Sequence, residues 1–138
     1  MRTTVTAEPA VNLWLPRFGM TPVKCRLQYH PADPYAVTLS LDHGDGRTTT
    51  WTFARSLLAE GVTDKAGEGD VRLWRVTSSE VPTVAVALRC TDGPVHLYAD
   101  RAAMVDFVTA TYTSVPPGAE QDYVDLDAEI DALLRDDG

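Results

Sequence analysis

Period-two alternation of apolar and polar residues recurs along most of this chain, and it constrains the fold more than any other feature. From Thr3 to Leu15 the odd positions read Thr, Val, Ala, Pro, Val, Leu, Leu, which predicts one long strand. Pro9 lacks an N–H, so it implies an edge position or a bulge midway. Two prolines and Gly19 make residues 16–22 a connecting loop. Val23, Cys25, Leu27 and Tyr29 then alternate with Lys24, Arg26 and Gln28, the half-buried pattern of an antiparallel sheet. Tyr35–Leu41 and Arg47–Phe53 continue it, joined by the glycine-bearing hairpin loop Asp42–Gly46.

A short helix is predicted next, over Ala54–Glu60, with Gly61 as its stop and Leu57 and Leu58 as its anchors. It is too short to form alone and must be held by packing. After a loop at Val62–Asp70 come strands at Val71–Val76, Thr83–Cys90 and Val95–Ala99. These last strands are apolar on both faces, so helices or another subunit must cover the second face. Asp100 is placed to N-cap a helix from Arg101 to about Thr113, with Met104, Val105, Val108 and Tyr112 as its stripe. A final helix to Arg135 carries Tyr123, Leu126, Ile130, Leu133 and Leu134 on one narrow face. The expected class is α+β: a seven-strand, curled, partly barrel-like antiparallel sheet with about three helices, in one domain spanning residues 1–138.

The charge is uneven. The net charge is -8, and residues 101–138 hold nine Asp and Glu against two Arg. An acidic end repels phosphate backbones, so general nucleic-acid binding is not expected. The N-terminus lacks the apolar core of a signal peptide, and the longest apolar run, Val84–Leu88, is far short of a membrane span, so a cytoplasmic protein is expected.

Chemistry-bearing residues do not assemble into a recognisable set. His30, His43 and His96 are scattered, and Cys25 and Cys90 match no zinc spacing and lie on apolar strand faces. The acids at 125, 127 and 129 crowd the start of a helix, where the helix dipole accounts for them. No phosphate loop or nucleophile elbow is present. The chain therefore reads as non-enzymatic, with no metal and no cofactor. Arg72, Trp74, Arg75 and Arg89 lie on neighbouring strands, and basic residues beside an aromatic suit single-stranded nucleic acid, the alternative function.

Five motifs in order carry a resemblance: Asp33-Pro-Tyr-Ala-Val37, Trp51-Thr-Phe-Ala-Arg-Ser-Leu-Leu-Ala-Glu-Gly61, Gly69-Asp-Val-Arg-Leu-Trp74, Val115-Pro-Pro-Gly118 and Asp125-Leu-Asp-Ala-Glu129. Together they resemble the SsgA-like protein family, the sporulation and cell-division regulators of actinobacteria, over about residues 22–135. The resemblance implies a whirly-like fold, assembly as a homotrimer and no enzyme activity. It also implies a localiser that recruits the tubulin-like division GTPase or wall-synthesis machinery to the septum. Trp14, Trp74, Arg72, Arg75, Tyr123, Leu126 and Ile130 are the candidate interface residues.

Overall fold

The computed structural model describes residues 4–67, 69–78, 80–91, 93–124 and 133–134. Among these it is α+β, with ten strands where the alternation predicts seven. They are β1 (Val5–Ala7), β2 (Val11–Leu15), β3 (Gly19–Val23), β4 (Cys25–Tyr29), β5 (Ala36–Asp42), β6 (Thr48–Ala54), β7 (Lys65–Ala66), β8 (Val71–Val76), β9 (Thr83–Cys90) and β10 (Gly93–Asp100). Helix α1 (Arg55–Gly61) follows β6, α2 (Arg101–Ser114) follows β10, and residues 120–124 are helical.

Instead of one curled sheet there are two, both wholly antiparallel. One has the order β1-β4-β5-β6 and the other β3-β2-β10-β9-β8-β7, and neither closes into a barrel. The predicted first strand is in fact two, β1 and β2, which lie in different sheets. Buried Pro9 sits in the three-residue crossing between them, where no ladder bond is required of it. The chain changes sheets again at Lys24, whose carbonyl accepts from the Asp42 amide (3.0 Å). The predicted loop at 16–22 is largely β3, an edge strand that tolerates Pro22 and pairs Leu15 with Gly19 across a three-residue turn. Gly19 has φ 67°, which closes that turn.

The inner faces of the two sheets meet in one core. Leu27, Tyr29, Val37, Leu39 and Phe53 come from the first sheet, and Val84, Val86, Leu88, Leu97 and Leu73 from the second. Helix α1 packs on β7 and β8, and α2 on β1, β9 and β10. Leu58 is fully buried and Leu57 only partly so, which makes Leu58 the anchor of α1. Gly61 is the last helical residue and not a positive-φ stop. A Cβ there would lie 2.5 Å from Leu73 Cβ, so the glycine exists to let α1 approach β8. In α2 the buried residues are Met104, Phe107, Val108 and Thr111, so the buried face is rotated from the predicted stripe and includes Phe107. Asp100 holds the N-cap position, but its side chain makes no capping hydrogen bond.

Candidate interaction surface

The outer faces of the two sheets differ in kind. On the four-stranded sheet, Thr6, Gln28, Thr38 and Thr52 line up across the strands, beside Arg26, Ser40 and Thr50. Ser40 and Thr50 hydrogen-bond each other (2.9 Å), and Arg26 pairs with Glu8 (3.1 Å). That face is hydrated polar surface, as an antiparallel sheet with one solvated side should be.

The six-stranded sheet breaks this rule. Its inward residues Val71, Leu73, Val84, Val86, Leu88 and Leu97 are buried in the core. Strict alternation therefore sends Arg72, Trp74, Ala85, Ala87 and Arg89 outward. Register places Trp74 against Ala85 and Ala85 against Tyr98, with Tyr98 against Asn12. The next row sets Arg72 against Ala87 and Ala87 against His96. At the other end Trp14 pairs with Met20, and both are about half exposed (48% and 52%). The two central alanines are themselves buried and Trp74 and Tyr98 half-buried, so the open apolar surface of this face lies at Trp14 and Met20. Its cations are Lys65 (opposite Trp74), Arg72 and Arg89. Arg89 makes a long, exposed ion pair with Asp70 (3.6 Å), a contact of little strength.

The structure thus brings Arg72, Trp74 and Arg89 onto one face with Trp14. Arg75 is exposed but points, by alternation, to the other side of β8. Tyr123 is half-buried, packed against the core and donating to the Ser114 carbonyl at the end of α2 (3.1 Å). Leu126 and Ile130 lie outside the described residues.

One central residue escaped sequence reasoning. Arg55 opens α1, and its side chain is only 2% exposed. It donates from Nη1 to the carbonyls of Thr111 (3.0 Å) and Val115 (2.7 Å), and from Nη2 to Glu120 Oε1 (2.8 Å). Its guanidinium sits 4.0 Å from the Tyr112 ring centroid and 5.1 Å from that of Tyr29. The carbonyls it meets close α2, where the helix dipole is negative. Arg55 is therefore a clamp that fixes the exit of α2 and the chain leading into the acidic C-terminal segment. Glu120 is held below the usual carboxylate range by its own backbone N–H, the Arg55 guanidinium and the Gly118 amide, against the opposing effect of burial. The only local signal for Arg55 is its place three residues before Leu58 on a seven-residue helix.

Two of the three histidines have side-chain partners. His30 Nδ1 is 3.0 Å from Thr4 Oγ1, and His43 Nε2 is 2.5 Å from Thr49 Oγ1. Burial pushes the Cys25 thiol up to about 12, so it remains protonated at neutral pH and is no nucleophile. Among the described residues no group of three His, Cys, Asp or Glu converges on a metal-sized site. Among them, too, no helix is long and apolar enough to cross a membrane.

Comparison with known proteins fits this architecture. The model of the Streptomyces sporulation and cell division protein family, SsgA, matches residues 23–120. The sporulation-specific cell division protein SsgB of Streptomyces coelicolor is 39% identical over 136 residues, covering 99% of each chain. Its counterpart in Frankia casuarinae is 38% identical over 131 residues, covering 95% of this chain and 92% of its own. The crystal structure of an SsgA-like sporulation-specific cell division protein from Thermobifida fusca superimposes with a TM-score of 0.86 at 37% identity, over 95% of this chain and 96% of that one. The motifs, the fold and these full-length matches agree, and the chain belongs to the SsgA family of sporulation and cell division proteins.

Proposed function

We propose that this protein acts in sporulation-specific cell division as a non-enzymatic adaptor, working through protein–protein contacts from a single domain over residues 1–138. The observation that carries the reading is the family match over residues 23–120, with relatives named for sporulation-specific cell division along nearly their whole length. The outer side of the six-stranded sheet, with exposed Trp14 and Met20 beside the cations Lys65, Arg72 and Arg89, suits contact better than solvent. In this reading the chain is a cytoplasmic, whirly-like homo-oligomer, a trimer. It is recruited to the division septum, where it meets the tubulin-like division GTPase or wall-synthesis proteins. The test is complementation of a sporulating actinomycete that lacks its own relative of this family. Restored sporulation septa and co-purification of the GTPase are expected. Soluble expression with no septa and no division partner recovered sinks the reading.

A second reading has its own observation. Arg72, Trp74 and Arg89 share one sheet face with Tyr98 and Trp14, the mix of stacking and basic groups that single strands use. Fluorescence anisotropy with labelled oligonucleotides decides it. Binding that weakens steeply with salt supports it, and no binding at low salt ends it.

A further inference from the structure

The six-stranded sheet's outer face poses a question of occupancy. The other sheet's outer face is a lattice of threonine, serine and glutamine, so this fold is able to make a solvated face and has made one. The six-stranded sheet instead presents exposed Trp14 and Met20 and half-buried Tyr98 and Trp74, its two central alanines being buried. Its free charge is positive, from Lys65 and Arg72, with Arg89 only loosely held by Asp70. Two copies pressed face to face would bring these cations against one another, and like charges across a contact oppose it. The face therefore favours an occupant that is apolar along one stripe and acidic beside it.

The chain itself contains such a segment. Residues 122–137 hold seven Asp and Glu against the single Arg135. Tyr123, Leu126, Ile130, Leu133 and Leu134 recur at helical spacing through it. The described Leu133 and Leu134 are 67% and 69% exposed, so these apolar side chains are not spent on the subunit's own core. The position of the segment decides between its own subunit and another. Arg55 and Glu120 bind the chain at the end of α2, and Tyr35 Oη lies 3.5 Å from Gln121 Oε1 at the start of β5. The segment therefore departs beside the four-stranded sheet, at Tyr35 and Arg55. That departure point and the exposure of Leu133 and Leu134 favour a neighbour over the segment's own subunit.

We propose that the acidic C-terminal segment of one copy docks on the outer face of the six-stranded sheet of a second copy. Its leucine and isoleucine stripe lies against Trp74 and Tyr98, and its carboxylates face Lys65, Arg72 and Arg89. The contact is heterologous, joining a tail to a different surface on the next subunit, and a heterologous contact makes a ring where its rotation closes. The inference rests on the oligomer reading above and specifies which surfaces make it.

The test uses the full-length protein and reads mass against concentration by sedimentation at low and high salt. One variant reverses the face (Arg72→Glu with Arg89→Glu), a second reverses the tail (Asp125→Lys, Asp127→Lys and Glu129→Lys), and a third combines them. Each reversal alone is expected to weaken association by at least about tenfold, and the combination to restore it, because the charges are again complementary. Added salt should weaken the wild-type assembly. Circular dichroism melts checks that every variant is folded. If one does not fold, Arg72→Gln with Arg89→Gln and Asp125→Asn with Asp127→Asn replace the reversals, with the same expected direction. A wild-type oligomer that ignores both sets overturns the docking and leaves the oligomer standing. So does one weakened by the face variant but not by the tail variant, which assigns the face to a different occupant. A wild-type chain that is monomeric throughout overturns the oligomer reading itself.

Discussion

Replacing Arg55 by methionine keeps an unbranched apolar stem and removes the guanidinium. The wild-type head makes three charge-assisted hydrogen bonds, at 2.7–3.0 Å, and stacks over two tyrosine rings. Hydrogen bonds to charged groups contribute roughly 1.5–3 kcal/mol each, and each desolvated cation–π contact about 1–2 kcal/mol. Against this stands the cost of taking the guanidinium out of water, several kcal/mol. Breaking a buried pair by deleting one partner typically costs about 3–5 kcal/mol. Here Glu120 is 17% exposed and regains some hydration, so the lower part of that range applies. A loss of about 3 kcal/mol is expected, which lowers the melting temperature by roughly 10 °C for a chain of this size. Arg55→Lys keeps the charge but cannot fork to three acceptors or stack flat on Tyr112, so about half of the loss is expected to remain. Thermal and urea unfolding followed by circular dichroism measure both variants. Amide exchange should show residues 115–124 losing protection before the sheets do. If Arg55→Met melts within about 2 °C of wild type, desolvation cancels the contacts and the clamp contributes nothing net to stability.

The same clamp has a pH signature. The folded Glu120 carboxyl titrates below its ordinary value, so its contribution is fully present above about pH 4.3 and is lost as the pH falls from there through the folded value; Glu120→Gln should flatten that acid limb of the stability curve. Leu58→Ala should cost about 2–5 kcal/mol, and Leu57→Ala clearly less, because only Leu58 is fully buried; equal losses in urea melts would reverse their assigned roles. Gly61→Ala should destabilise although alanine favours helix by roughly 1 kcal/mol, since the new methyl meets Leu73 at 2.5 Å; a rise in melting temperature would refute the close approach. Cys25 should resist a thiol reagent at pH 8 until the protein unfolds, while half-buried Cys90 reacts first, as mass spectrometry of labelled peptides will show.

The strands that read most clearly from sequence, β4, β5, β6, β8 and β9, each alternate within one sheet over one core. The division into two sheets did not show, for a physical reason. Val5, Ala7 and Val11 keep one phase across the first crossing, and Val23 and Cys25 keep it across the second. Both sheets turn their inner faces to the same core, so changing sheets leaves the apolar pattern unbroken. β3 was hidden by Gly19 and Pro22, breakers that an edge strand tolerates, and β7 has only two residues. On the surface, the neighbouring strand-like runs placed Arg72, Trp74 and Arg89 together, and the structure sets them on one face of β8 and β9. Arg75 was grouped with them by proximity in sequence, which period two contradicts. Arg55 was not legible because all of its acceptors lie 56–65 residues away, and a charged residue on a short helix otherwise reads as solvent-facing.

The stretch from Trp51 to Gly61 gains a meaning that neither its aromatics nor its leucines disclose alone. Trp51, on β6 in the four-stranded sheet, donates its indole N–H across to the Arg89 carbonyl of β9 in the six-stranded sheet (3.2 Å). Four residues on, Arg55 grips the end of α2 and Glu120. Ten residues on from Trp51, Gly61 lets α1 rest on Leu73, whose neighbours Arg72 and Trp74 point outward. One continuous segment thus ties the two sheets together, supports from within the strand that carries the basic and aromatic face, and aims the chain that leads into the acidic tail. If the tail of one copy meets the face of the next, both halves of that contact are positioned from this single stretch. Weakening Arg55 should then loosen the assembly, through the tail's starting point, before it unfolds the subunit. Sedimentation of Arg55→Lys at temperatures well below its melting point separates the two effects: lost association with intact circular dichroism supports the coupling, and an unchanged mass refutes it.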